Sequence, residues 1–379
     1  MKKILIPIVI IIAISGGYFA FRAPANPAPA GSSAREIVIG GAFGLSGNCA
    51  EWGEGEKNAA QMAIGELNAA GGIAGVPIRL IVEDTQCDNK GTVNAVQKLV
   101  NADHVRAVVG PTWGDAYQGA SDIFRREKVV SISPDTAMEA LEFQNQPVEY
   151  LFSTYPPQRT EIAALQGHIA SLEKRRIAMV WDQDSYSTMM MRLFKEAAPA
   201  HNIVIAGEYE MPTGAQDFRT ILAKIKVDKP HAIFISFLAA HTKASFLKQA
   251  KELGIASLVL SSADIQDESV LASFGKFMDG VIYTYPKAFA GQAAFKEAYR
   301  AKYSADPQGP AAANAYDAVR MIAEALRQGA RTGAEIQTSL LGMKIPGTFT
   351  SELSFNEKHQ VHGGEFEVKT VRNGAFAPF

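Results

Sequence analysis

Two pairs of carboxylates lie close enough in the chain to share acid–base work: Asp182 with Asp184, and Asp264 with Asp267. One member of such a pair can donate a proton while the other accepts one, provided a nucleophile or metal stands beside them. Neither pair has such a neighbour in the sequence, so solvation of a loop accounts for at least one member of each. His359-x-x-His362 has a spacing that metals accept, but it falls in a polar hairpin where a solvated surface is the better reading. No G-x-x-x-x-G-K-S/T phosphate loop occurs, and the turn Gly40-Gly41-Ala42-Phe43-Gly44 lacks the G-x-G-x-x-G order. Gly44-Leu45-Ser46-Gly47 is one residue short of a nucleophile elbow. Neither catalysis nor a cofactor or metal is therefore expected. What remains is a set of flat rings, Trp52, Trp113, Trp181, Tyr155 and Tyr186, of the kind that close on a small ligand. Trp181 ends a strand and is expected to pack within its own lobe. Trp52, Trp113 and Tyr186 are expected to face the ligand.

The elements that must position these rings alternate between strand and helix patterns. Apolar runs at Glu36–Gly41, Ile78–Val82, Arg106–Val109 and Val129–Ile132 are separated by helical spacings such as Ala60, Ala63, Ile64 and Leu67. A second series follows Tyr155-Pro156-Pro157, with strands predicted at Ile177–Trp181, Ile203–Tyr209, Ala232–Ser236, Leu258–Leu260 and Gly280–Tyr285. Runs that are apolar throughout, with helices between them, mean parallel sheets covered on both faces. Long helices at Ala293–Tyr303 and Ala311–Gln328 and late short strands, with a polar hairpin around Asn356–Gly364, then suggest a chain that crosses between lobes more than once. The fold class is α/β, two doubly wound parallel-sheet lobes joined by a multi-crossover hinge. The first lobe is expected over 36–154 and 285–347, and the second over 155–284 and 348–379. Ligands on such sheets sit beyond the carboxyl ends of the strands, so two facing sets of loops make a cleft.

At 379 residues, 47% hydrophobic and 20% charged, the chain is a globular protein of about two domains. The formal charge is −2, and the first thirty residues hold three basic groups and no acidic one. The remainder carries 34 basic against 39 acidic groups, which argues against nucleic acid as a partner. Met1-Lys2-Lys3 followed by the uncharged run Ile4–Phe21 and a Pro/Ala-rich linker has the form of an export signal. The run is also long enough to span a bilayer, so a cleaved signal and a retained N-terminal membrane anchor both fit over residues 1–35. Export places Cys49 and Cys87 in an oxidising space, where a disulfide is expected. The first and second strands of a doubly wound lobe are neighbours, and each cysteine lies in the loop after one of them.

At these loops the sequence resembles the periplasmic leucine/isoleucine/valine-type solute-binding proteins of ABC transporters, which have the type I periplasmic binding fold. The resemblance runs from about Glu36 to the C-terminus. It is carried by Leu45-Ser46-Gly47 with Trp52-Gly53, by Asn68-Ala69-Ala70-Gly71-Gly72-Ile73-Ala74-Gly75, and by Glu83-Asp84-Thr85-Gln86-Cys87-Asp88. Val108-Val109-Gly110-Pro111, Ile132-Ser133-Pro134 and Asn314-Ala315-Tyr316-Asp317-Ala318 continue it in order. The resemblance implies closure of two lobes on a small-molecule ligand and delivery to an ABC transporter permease in the inner membrane. By position it implies that Thr112, Trp113, Gly114 and Asp115 after the third strand, and Asp135, Thr136 and Ala137 after the fourth, meet the ligand. Asp264 stands next to the second-lobe acidic position, while Trp52 and Tyr186 match the closing aromatics. Gly114 and Ala137 stand where hydroxyls are usual, which removes hydrogen bonds to a zwitterion worth roughly 1.5–3 kcal/mol each when charge-assisted. The expected ligand is therefore amino-acid-like or a small aromatic or apolar acid or amide. A monomer is expected; a membrane-anchored ligand-sensing module and a hydrolase using the cleft aspartates are the rival readings.

A Cys49–Cys87 bridge would stabilise the fold by roughly 3–4 kcal/mol on the chain-entropy account. Thiol titration of the denatured, unreduced protein is expected to find no free cysteine, and reduction to lower the melting temperature. Two titratable thiols in protein from an oxidising compartment would refute the pairing.

Overall fold

The computed structural model describes residues 36–379 except 48, 238, 288, 289, 308 and 349; the expected signal or anchor over 1–35 lies outside the described residues. Among the described residues, no helix is long and apolar enough to cross a membrane. The first sheet comprises β1 (Ile37–Phe43), β2 (Ile78–Asp84), β3 (Ala107–Val109), β4 (Val130–Ser133) and β5 (Leu151–Ser153). They run parallel in the order β2-β1-β3-β4-β5. The helices that follow these strands are α1 (Ala50–Ala69), α2 (Asn89–Gln97), α3 (Gly114–Glu127) and α4 (Met138–Phe143). β3 and β4 are buried at every residue, as a sheet covered on both faces requires.

The chain then passes through α5 (Gln158–Ser171) into the second sheet. Its strands are β6 (Arg176–Asp182), β7 (Val204–Met211), β8 (Ala232–Ser236), β9 (Leu258–Ser261) and β10 (Ile282–Pro286). The helices α6 (Ser185–Ala197), α7 (Arg219–Asp228), α8 (Ala240–Glu252) and α9 (Glu268–Met278) alternate with them. After β10 the chain returns: α10 (Ala290–Tyr303) packs its Phe295 and Tyr299 with Ala59 and Met62 of α1. α11 (Ala311–Arg327) and α12 (Gly333–Gly342) cover the first sheet. Finally β11 (Phe366–Arg372) adds antiparallel to β10 and β12 (Ala375–Pro378) antiparallel to β11, giving the order β12-β11-β10-β9-β8-β6-β7. These are two doubly wound lobes with three crossings between them.

Three details depart from the sequence expectation. β5 and α4 carry no readable periodicity, because three and six residues are too few for one. The last hairpin turns at Asn373-Gly374, both at left-handed φ (53° and 70°), which is the two-residue Asn-Gly signal; the Asn356–Gly364 turn closes on one antiparallel bridge, Phe355 with Val361, and its Gln360 bridges Ser153 of β5. Leu353, Phe355 and Val361 pack in the first lobe's core, so we place the last lobe boundary after Val361 rather than at 347/348.

The crossings are tied together by polar groups at α4 and α11. Glu139, buried in α4, accepts the Arg159 backbone N–H at 3.1 Å on one oxygen and the Gln360 side-chain amide at 3.1 Å on the other. It thus holds the first and third crossing segments at once. Ser153 and the 359–361 segment exchange backbone hydrogen bonds of 2.9 Å, and the His359 ring stacks on Phe152 at 4.4 Å. His359 is buried and bonds the Val148 carbonyl at 2.8 Å, which makes it a structural residue of the hinge. The Asn314 amide donates to the Pro134 carbonyl at 2.8 Å, tying α11 to the loop after β4. Glu139→Ala leaves the buried Gln360 amide and the part-buried Arg159 N–H unpaired and is expected to cost about 1–3 kcal/mol in urea denaturation. A loss below roughly 0.5 kcal/mol, the range of ordinary surface substitutions, would show that the crossings are held by other contacts.

Candidate functional site

The carboxyl ends of both parallel sheets carry the residues singled out above. In the first lobe the wall is built on Thr112, whose side chain is fully buried. Its hydroxyl accepts the Gly44 N–H at 3.0 Å and donates to the Glu56 carboxyl, joining the loop after β1, the loop after β3 and helix α1. Close backbone approach makes this possible: a Cβ on Gly53 would collide with the Gly44 carbonyl, and one on Gly44 with both sulfurs of the Cys49–Cys87 disulfide. The disulfide is present, with Cα atoms 5.8 Å apart, at the edge of the same loop. Asp84 closes that loop by accepting from the Leu45, Ser46 and Gln86 N–H groups and the Ser46 hydroxyl. Burial alone would raise the Asp84 carboxyl, but these four bonds hold it below its ordinary range.

Beside Thr112 the backbone turns sharply. Trp113 has φ 68° and ψ 141°, a region that non-glycine residues enter at a cost of about 1–3 kcal/mol, and its N–H donates to Asp135 at 2.9 Å. Asp135 and Glu56 face each other. Burial pushes Asp135 up to about 7 and holds Glu56 well above the carboxyl range, with the Asp135 charge adding to the effect on Glu56. The pair therefore keeps a proton near neutrality. Thr136 is buried, its hydroxyl accepting from Ser133 at 2.7 Å, and Gly114 opens α3 against its methyl group.

The second-lobe wall gathers around Glu161, Asp264 and two phenols. Glu161, fully buried on α5, accepts the Ala263 N–H at 2.7 Å and the Thr284 hydroxyl at 2.9 Å. Burial pushes its carboxyl up to about 8. Lys243, 4% exposed, pairs with Asp264 at 2.7 Å and donates to the Asp264 carbonyl at 3.0 Å. The Ser262 hydroxyl donates to Asp264. Tyr186 lies beside Ser262, Asp264, Glu161 and Tyr155, and burial pushes both phenols above their ordinary range.

The structure thus brings Tyr186 and Asp264 together on one wall, and Thr112, Trp113, Gly114 and Thr136 on the other. The hydroxyls of Thr112 and Thr136 are committed to framework bonds. Ala137 packs with Ile162 and Met190 in the second lobe's apolar cluster. Trp52, partly buried in the first turn of α1, lays its ring against Gly309 of the returning chain. Asp115 falls in the first turn of α3; its side chain is not among those described. Trp181 packs in its own lobe. Asp184 caps α6 by accepting the Ser187 N–H at 2.8 Å, and burial beside Asp182 pushes it up to about 8. Asp267 caps α9 through the Val270 N–H at 3.0 Å. Among the described residues no cluster of His, Cys, Asp and Glu could hold a metal.

Sequence reasoning passed over Glu56, Glu161 and Lys243. The signal was present for Glu161: it shares a helical face with Leu165 and Ile169, and an acid at a core position is an exception worth pursuing. Glu56, in register with Ala59, Ala60 and Ala63, is the same kind of exception.

Two doubly wound lobes whose strand ends bear aromatic and polar groups have the form of a two-lobed ligand-binding protein. The chain belongs to the periplasmic binding protein family, which matches residues 36–374. It is 28% identical over 355 residues to the leucine-, isoleucine-, valine-, threonine- and alanine-binding protein of Pseudomonas aeruginosa, covering 92% of this chain and 94% of that one. It is likewise 28% identical to the Leu/Ile/Val-binding protein of Escherichia coli strain K12, covering 88% and 90% of the two chains. Among solved structures, the branched-chain amino acid transporter substrate binding protein LivJ from Streptococcus pneumoniae, in complex with isoleucine, superposes with a TM-score of 0.79. That match is 26% identical and covers 91% of this chain and 99% of LivJ. The family is one of substrate-binding proteins rather than enzymes.

The raised carboxyls make stability depend on pH. A carboxyl near 8 in the folded state and near 4 when unfolded binds its proton more tightly when folded. Its contribution is whole below the unfolded value and is lost as pH rises through the folded one. The melting temperature of the ligand-free protein is therefore expected to fall between pH 5 and pH 8, Glu161 alone taking about 1.4 kcal/mol per pH unit at most. Glu161→Gln should flatten that fall. An unchanged slope in the variant would mean that Glu161 is ionised when folded.

Proposed function

We propose that this chain is the exported solute-binding component of an ABC importer. It closes two lobes on a small molecule and hands it to a permease in the inner membrane, and it carries out no catalysis. What supports this reading is that the strand carboxyl ends of both lobes carry aromatic and polar groups, Trp113 with Asp135 on one and Tyr186 with Glu161 and Asp264 on the other. Family membership over 36–374 supports it, as does the naming of the relatives for branched-chain amino acids. The ligand is amino-acid-like or a small aromatic or apolar acid or amide, met by Trp52, Thr112, Trp113, Gly114, Asp115, Thr136, Ala137, Tyr186 and Asp264. The protein works as a monomer in the periplasm, and Ile4–Phe21 serves as its export signal or holds it to the inner membrane.

Mass spectrometry of the small molecule that co-purifies with the full chain, followed by calorimetry with that compound, tests the reading. Tryptophan fluorescence is expected to change on binding, and the compound to be recovered chemically unchanged. Tyr186→Ala should weaken binding by about 1–3 kcal/mol, the scale of a buried aromatic anchor. Recovery of a converted product would point to the hydrolase instead, and unchanged affinity in the variant would remove Tyr186 from the site.

A further inference from the structure

A row of side chains crosses the carboxyl end of the second sheet on the face that α5 covers. Pairing places Ser236 beside Trp181, and the extended backbone after β9 carries the register on to Ser262 and Thr284. Two members of this row are already satisfied: Thr284 donates to one oxygen of Glu161, and Ser262 donates to Asp264. Several buried groups on this face have no partner, Gln158 Oε1 and Gln166 Oε1 of α5 among them, and three concern this row. They are the Ser236 hydroxyl, the Trp181 indole N–H and the second carboxyl oxygen of Glu161. Buried polar groups are seldom left unpaired, and three in one row mark a place where something else completes them. The indole N–H asks for a neutral acceptor, while the Ser236 hydroxyl and the bare Glu161 oxygen, once that carboxyl gives up the proton burial leaves on it, can accept from a charged donor.

The charges around the cleft agree. Lys243 is the buried lysine or arginine among the described residues, and Asp264 already holds it at 2.7 Å. Glu139 lies near Glu161, adding a second carboxyl rather than a counter-charge. On the opposite wall the Trp113 N–H, an amide that could receive a carboxylate, is taken by Asp135, with Glu56 close behind it. An ionised ligand carboxylate would therefore find no free buried lysine or arginine among the described residues to pair with, and burying it unpaired is costly. A protonated amine would meet unpartnered acceptors.

Resting on the solute-binding reading above, we infer that the ligand is a small organic cation. Its protonated amine sits against Glu161 and the Ser236 hydroxyl, a neutral oxygen such as an amide carbonyl takes the Trp181 N–H, and it bears no free carboxylate. Calorimetric titration of the ligand-stripped full chain with two matched pairs of probes tests this: L-leucinamide against L-leucine, and benzylamine against benzoate. In at least one pair the amine is expected to bind at least tenfold more tightly than the acid. Glu161→Gln should cost that amine at least tenfold, with circular dichroism showing the variant folded; if it does not fold, Ser236→Ala is expected to weaken the same amine several-fold. An acid that binds as tightly as its amine, or full affinity in the folded variants, overturns the inference and leaves the transport reading standing. No binding by any of the four probes overturns it too, whereas the transport reading fails separately, if no small molecule co-purifies.

Discussion

A carboxylate taken out of water must find a partner or keep its proton, and this structure is arranged around several that have been taken out of water. Glu56, Glu139 and Glu161 are all buried where the two lobes approach the hinge and cleft. Each is settled differently. Glu139 uses both oxygens as acceptors and so fastens two crossing segments to α4. Glu56 leans on Thr112 and shares a proton with Asp135. Glu161 has one oxygen doubly bonded and the other bare. The first is architecture, the second shapes the ligand-facing backbone, and the third is left for something to complete.

The same economy explains why the hydroxyls of the first wall are turned inward. Thr112 rivets together loops that would otherwise be independent, and Thr136 braces its own loop through Ser133. With those hydroxyls spent, the partly buried groups left on this wall are Trp113, Gly114 and Asp135. The Cys49–Cys87 bridge and Asp84 stiffen the neighbouring loop, so that this lobe offers a pre-formed surface. The second wall is more polar, and its phenols and carboxyls share one network.

Between the walls, contact near the hinge is already made. Phe143 at the end of α4 lies under the Arg192 guanidinium at 3.7 Å and that of Arg159 at 5.4 Å, and Arg159 also reaches Glu142 and Glu196. These contacts link first-lobe α4 to second-lobe α6 directly. Closure about the three crossings can proceed while that seam holds, since exposed ion pairs and cation–π contacts are individually weak and rearrange readily.

Much of this was legible in the residues alone. Apolar runs alternating with helical spacing specify doubly wound lobes, because parallel strands must be buried on both faces. That topology makes the loops after β1 and β2 neighbours, and so pairs Cys49 with Cys87. Tyr186 and Asp264 fall on one wall for the same reason. What the sequence alone could not decide is which polar groups are spent on the framework and which are left over. The Thr112 hydroxyl looks free until Gly44 and Glu56, 68 and 56 residues away, take it. Glu161 looks like an ordinary helix acid until Ala263 and Thr284, more than a hundred residues on, close over it. Periodicity carries information about the face a residue occupies. Hydrogen-bond satisfaction depends on partners brought from distant segments, and only the folded chain chooses them.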